Sequence, residues 1–213
     1  MLQWLRGQCC PWDEFVFHFA AGKGHLEVLK WARGQGLNWG SRTGLSAARG
    51  GHMEVLKWLA SQGYDFDEDR DCCTAAARNG DLLILQWLRD QGCPFHYDSV
   101  CCGAITCGQL DVLKWAVSQG YPLIEQYSDT AVTFGLLEVL QWLYEKGCPI
   151  SENICEHAAR GSRWEILQWA LAQGFPWDSR DRQRLVEGSA NLNICFLINE
   201  HSCHIENVYA AKS

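Results

Sequence analysis

The chain has 213 residues, 47% hydrophobic and 20% charged, a globular composition with enough apolar area for a sizeable core. Its formal charge of −7 argues against nucleic acid as a partner, because that binding rests on basic patches. No run of 18 apolar residues occurs, so no membrane-spanning helix and no membrane partner are expected. The opening "MLQWLRGQCCPWDEF" lacks the layout of a secretion signal, which points to an intracellular protein of the cytoplasm or nucleus.

From the N-terminus, tryptophan returns on a near-fixed beat: Trp4, Trp31, Trp58, Trp87, Trp115, Trp142 and Trp169, with Leu197 in the slot of a further copy. A near-constant step of this size, about 27 to 29 residues, marks stacked supersecondary units. Around each tryptophan one phrase recurs: GHLEVLKW (24–31), GHMEVLKW (51–58), GDLLILQW (80–87), GQLDVLKW (108–115), GLLEVLQW (135–142) and SRWEILQW (162–169). Its spacing predicts an amphipathic helix with a wide apolar stripe. The opening Gly permits a sharp turn. A second Gly, at Gly36, Gly63, Gly92, Gly120, Gly147 and Gly174, is the expected left-handed stop just past the helix.

All five prolines, Pro11, Pro94, Pro122, Pro149 and Pro176, follow the tryptophan by seven residues and fix a turn there. An apolar peg comes next: Trp12, Trp39, Phe66, Phe95, Leu123, Ile150, Trp177 and Ile205. Polar residues after it, such as Asp13, Asp67, Ser151 and Asp178, suit the cap of a following helix. That helix is short and rich in small residues, as in "LSAARGG" and "CTAAARNG". Each repeat therefore reads helix, tight turn, helix, loop.

The stretch "AARGGHMEVLKWLASQG" (47–63) resembles the heart of an ankyrin repeat, and the likeness recurs in at least six copies over nearly the whole chain. Two departures accompany it. Ankyrin repeats run about 33 residues, and the period here is several residues shorter. The Thr-Pro-Leu-His opening is also reduced to a trace at Thr43–Ala48. The pattern is similar to the short, Trp-rich ankyrin-like arrays of protists and their giant viruses. The resemblance implies an all-α fold, an α-solenoid of stacked helix-turn-helix repeats with shortened fingers, and a role in binding proteins. The expected organisation is one domain over 1–213 with about seven repeats, the first and last incomplete.

Several cysteines occupy repeat slots. Cys10, Cys93, Cys148 and Cys203 share theirs with Tyr64, Tyr121 and Phe175, so a compact or apolar side chain is wanted there, and reduced, buried thiols are expected. Cys93-x2-His96 with Cys101 and Cys102, and His201, Cys203 and His204, have ligand types for zinc. The repeat slot already accounts for Cys93, and no metal or cofactor is assigned. The recurring acids Glu27, Glu54, Asp111, Glu138 and Glu165 fall on an outer helix face three residues before Lys or Gln, a solvated pattern. No phosphate loop, Gly-x-Ser-x-Gly or His-Glu-x-x-His motif is present. No catalytic residues are named, and the chain is expected not to be an enzyme.

What varies between repeats is the stretch just after the peg. By the resemblance it lines the concave edge beside the first helices. The candidate partner-binding residues are Asp13, Glu14, Arg42, Asp67, Glu68, Asp69, His96, Tyr97, Glu125, Tyr127, Glu152, Asp178 and Arg180, with His96, Tyr97 and Tyr127 as aromatic anchors. Acids dominate its first half, so the expected partner is another protein with a basic or mixed surface. The alternative is a structural segment of a larger array, self-associating or docking through uncapped stacking ends.

Overall fold

The structure, a computed structural model, describes residues 14–67, 69 and 71–177. Among these it is all helical, with no strand. The helices alternate as first and second members of hairpins. The first members are α1 (Glu14–Gly22), α3 (Thr43–Arg49), α5 (Cys72–Asn79), α7 (Tyr97–Thr106), α9 (Glu125–Phe134) and α11 (Ile154–Arg160). The second members are α2 (Leu26–Gly34), α4 (Met53–Ser61), α6 (Leu82–Asp90), α8 (Leu110–Ser118), α10 (Leu137–Glu145) and α12 (Trp164–Ala172). The chain forms two compact units, Met1–Tyr121 and Pro122–Ser213. Within the first unit α1 packs on α3, α3 on α5 and α5 on α7; within the second, α9 packs on α11. The expected incomplete first and last repeats lie outside the described residues.

Each second helix obeys the predicted stripe. In α4, for instance, Val55, Leu56 and Leu59 are buried, while Glu54 and Lys57 face water and pair with each other at 3.1 Å. The stop glycines adopt the expected left-handed backbone, with φ between 75° and 87°. The N–H of the residue after each one then closes a six-to-one bond onto the helix: Leu37 on Ala32 O, Tyr64 on Leu59 O, Cys93 on Leu88 O, Cys148 on Leu143 O. This end motif favours an apolar contact from that residue, which is why Cys, Tyr, Phe and Leu share the slot.

First helices end the same way, with His25 on Ala20 O, His52 on Ala47 O, Asp81 on Ala76 O and Gln109 on Ala104 O. The residue making that bond starts the second helix, yet its side chain caps nothing there. It reaches back to the preceding repeat instead. His52 Nε2 meets Gly22 O at 3.2 Å, Gln109 Nε2 donates to Arg78 O at 3.2 Å, and Arg163 Nη2 donates to Thr133 O at 2.8 Å. Each acceptor is at or next to the last residue of a first helix, where carbonyls lack partners inside the helix. Where this slot holds Asp81, whose carboxylate cannot donate, Asn79 Nδ2 serves instead, at 3.1 Å from Ala48 O and 2.7 Å from Arg49 O. A slot that looks permissive in sequence thus carries a cross-repeat tie.

The pegs lock the other side. Trp39 packs edge-on to Trp58 at 6.3 Å, Phe66 to Trp87 at 5.8 Å and Phe95 to Trp115 at 6.0 Å. Each peg therefore meets the tryptophan of the following repeat. Phe17–Trp39, Trp39–Tyr64 and Tyr64–Phe66 contacts join the first two of these pairs into a ladder, while the third gathers with Tyr97 and Tyr121. Edge-to-face pairs add about 0.5–1.5 kcal/mol each beyond their buried area.

Gly80 separates the two demands on a turn glycine. It has φ +79°, and a Cβ there would overlap the Gln109 amide of the next repeat; Gly92, at φ +84°, has open space around it. Gly92→Ala should therefore cost about 1–2 kcal/mol for left-handed strain alone, and Gly80→Ala about 1 kcal/mol more, because the Gln109 amide must swing aside and leave Arg78 O. Urea titration of both variants checks this. Equal losses would show that the tie's path does not constrain the turn.

Candidate functional site

The N-terminal ends of the first helices, where the variable row falls, are organised differently from the simple caps expected. No first-helix N-cap residue from α3 to α11 makes a side-chain cap. For α3 the cap comes from the next loop: Gly44 N donates to Tyr64 Oη at 3.1 Å, and Leu45 N donates to Asp69 Oδ2 at 3.0 Å. Tyr64 in turn donates its hydroxyl hydrogen to the same carboxylate oxygen. Two orphan N–H groups of a seven-residue helix are thereby satisfied from the following loop. The side chains of Asp65 and Ser151 fold back on their own loops, accepting from Asp67 N at 2.8 Å and from Asn153 N at 3.3 Å.

Two members of the predicted row are corrected by this geometry. Asp69 is 4% exposed and belongs to the α3 cap; Tyr127 is 2% exposed and belongs to the core of the second unit. Neither can touch a partner. Arg42, Asp67, His96 and Tyr97 are at the surface of the first unit, and Glu125 and Glu152 at that of the second. Asp13, Glu68, Asp178 and Arg180 lie outside the described residues, as does the side chain of Glu14. Tyr97 is 48% exposed and tilts against Tyr121 at a centroid distance of 3.9 Å, beside Phe95. One of its faces is therefore fixed by packing and the other is open.

Of the eight described cysteines six are buried, and all eight are free thiols. Cys93 turns its Sγ toward the carbonyls of Phe66 and Asp69 at 3.8 and 3.9 Å. The thiols of Cys72 and Cys73 both point at Cys93, and this donation, with burial, holds each of them well above the usual thiol range. No group of three metal-ligating side chains converges among the described residues.

At the opposite, C-terminal ends of the first helices the structure assembles a feature that the sequence reading passed over. A shallow groove of about 230 Å³ runs between α1 and α3, lined by His18, Phe19, Gly22, Lys23, Ser46, Arg49 and Gly50. Phe19 is 72% exposed. Counted back from the tie residue, it holds the place of Ser46, Ala75 and Gly103 in the next three copies, and this departure from a run of small residues was a legible signal. Arg78 continues the cationic side on α5, its stem packed over Gly103 of α7 at 3.2 Å from a Cβ placed there. The second-helix surface is different: Glu27–Lys30, Glu54–Lys57 and Asp111–Lys114 neutralise each other in place.

Comparison with known proteins places this geometry. The family model described as ankyrin repeats (many copies) matches residues 17–60 and 45–89. The crystal structure of the human ASB11 ankyrin repeat domain superposes with a TM-score of 0.59 at 19% identity, covering 74% of this chain and 83% of that one. No curated protein matches the chain significantly.

Asp69 offers a stability test for the trans cap. Burial pushes its carboxyl above the usual range, against the lowering effect of the Tyr64 and Leu45 donors. A carboxyl whose folded pKa exceeds its unfolded value contributes stability below the unfolded pKa, and loses it as pH rises through the folded one. Wild-type stability should therefore step down on the alkaline side of about pH 4, and Asp69→Asn should flatten that step. Urea midpoints across the acidic-to-neutral range measure it; an unchanged step in the variant would assign it to other groups.

Proposed function

We propose that this chain, which belongs to the ankyrin-repeat superfamily by its matched repeats and its fold, is a non-catalytic module that binds a partner protein on the loop and first-helix face. Ankyrin repeats are in general protein-interaction modules, and the observation that most supports the face is Phe19. A large aromatic left 72% exposed beside a groove is costly in water and becomes favourable when a partner covers it. Tyr97, open on one side and stacked on the other, is a second anchor of the type that dominates interface energies.

The face is mixed in charge. Asp67 and Asp71 are exposed near the N-terminal ends of first helices, whereas Arg49 and Arg78 sit in the last turns of theirs. The remaining large apolar exposure in the first unit on a second helix is Leu83 of α6, a single residue on a face whose charges are self-paired. Isolated apolar residues of that kind are ordinary surface.

Alanine substitution separates the two faces. Against a partner recovered with the full chain, Phe19→Ala and Tyr97→Ala should each weaken binding about tenfold or more, with Leu83→Ala within about twofold of wild type. Titration by calorimetry or surface plasmon resonance reads this. Loss in Leu83→Ala alone would move the interface to the second-helix face.

A further inference from the structure

We infer that the groove between α1 and α3 receives an acidic peptide segment of the partner, carrying an apolar side chain that seats against Phe19. This deepens the proposed function and rests on it. The groove brings Lys23 and Arg49 to the rim around the exposed ring, and Arg78, in the last turn of α5, is exposed at the same end of the first-helix layer. Among the described residues none of these three makes an ion pair, although the lysines of the second helices are matched to acids three residues away. The C-terminal helix ends favour nearby cations. That accounts for a tolerated charge, and it leaves the charge unneutralised toward solvent.

The chain as a whole carries −7, so a positive strip is a local exception to the field of the molecule. Such a strip draws negatively charged partners and sets orientation more than it adds affinity. An acidic peptide fits this better than a nucleic acid. Phosphate-tracking surfaces need many cations, and here an exposed phenylalanine, with a groove about the size of one or two side chains, supplies the apolar part of the contact. A carboxylate on each side of an inserted Leu or Phe would meet Lys23 and Arg49. Arginine also accepts a carboxylate through two parallel N–H bonds, so Arg49 is the residue expected to fix register.

A random peptide library displayed on phage and selected against the full chain tests this, with a single-stranded oligonucleotide as a second probe. The expected pool is enriched in Asp and Glu flanking an aliphatic or aromatic residue. The best peptide should lose about tenfold in affinity in the Lys23→Glu, Arg49→Glu double variant and about threefold in the milder Lys23→Gln, Arg49→Gln pair. Lys57→Glu, on the second-helix face, should change it by less than about twofold. Circular dichroism matching wild type keeps these comparisons on folded protein. A pool without acidic enrichment, no enriched pool, affinity unmoved by both double variants, or equally tight oligonucleotide binding would each overturn the inference. Peptides that depend on Phe19 but show no acidic bias would remove the acidic partner and keep the face; peptides indifferent to Phe19→Ala as well would remove both.

Discussion

The final carbonyls of a short helix need donors from elsewhere, and here many of them come from the next repeat. His52, Asn79, Gln109 and Arg163 are chemically unlike, yet each ends within hydrogen-bond distance of a carbonyl at the close of the preceding first helix. These ties lie at exposed or part-buried positions, where a hydrogen bond contributes about 0.5–1.5 kcal/mol, and a seven-residue helix such as α3 has little stability of its own. It is held at its start by Tyr64 and Asp69 and at its end by Asn79, all supplied after it in the chain. The turn glycines follow from this constraint. They take left-handed backbone, and Gly24, Gly80 and Gly135 must also leave a lane for the His52, Gln109 and Arg163 side chains that cross them.

On the loop side, aromatic contact does the corresponding work. A peg seated on the next tryptophan joins neighbouring copies without a long finger, which is how so short a period remains a closed structural unit. Polar ties at one edge and aromatic pairs at the other leave the outward surface of the first helices with few internal duties. Phe19, Tyr97 and the cations of the first-helix layer are placed on that surface, where their chemistry is available to another molecule.

Much of this was legible in the residues. The tryptophan beat, the paired glycines and the small-residue first helices require the helix hairpins that are observed, because each feature repeats and each has a single physical reading. The candidate row was less legible. Tyr127 lies nine residues before the tie position, level with Thr43, Cys72, Val100 and Ile154, all buried, and alignment on the tie residue would have placed it inside. Asp69 had no such signal. Its carboxylate is buried by a partnership with Tyr64 that only one described copy contains, and a pattern that does not repeat cannot be read from periodicity. The tie slot failed for the opposite reason: His, Gln and Arg look interchangeable in sequence because a donor hydrogen is the only property they share.

The ties span 30 or 31 residues from donor to acceptor, slightly more than one period. A segment of one period therefore brings a donor for the copy before it and an acceptor for the copy after it, wherever within the repeat the segment is cut. Adding or removing a whole period leaves donor and acceptor in step at the new junction, and the loops between ties already absorb changes of one or two residues, since the tryptophan step varies between 27 and 29. Array length is thereby a looser constraint than the reach of the tie.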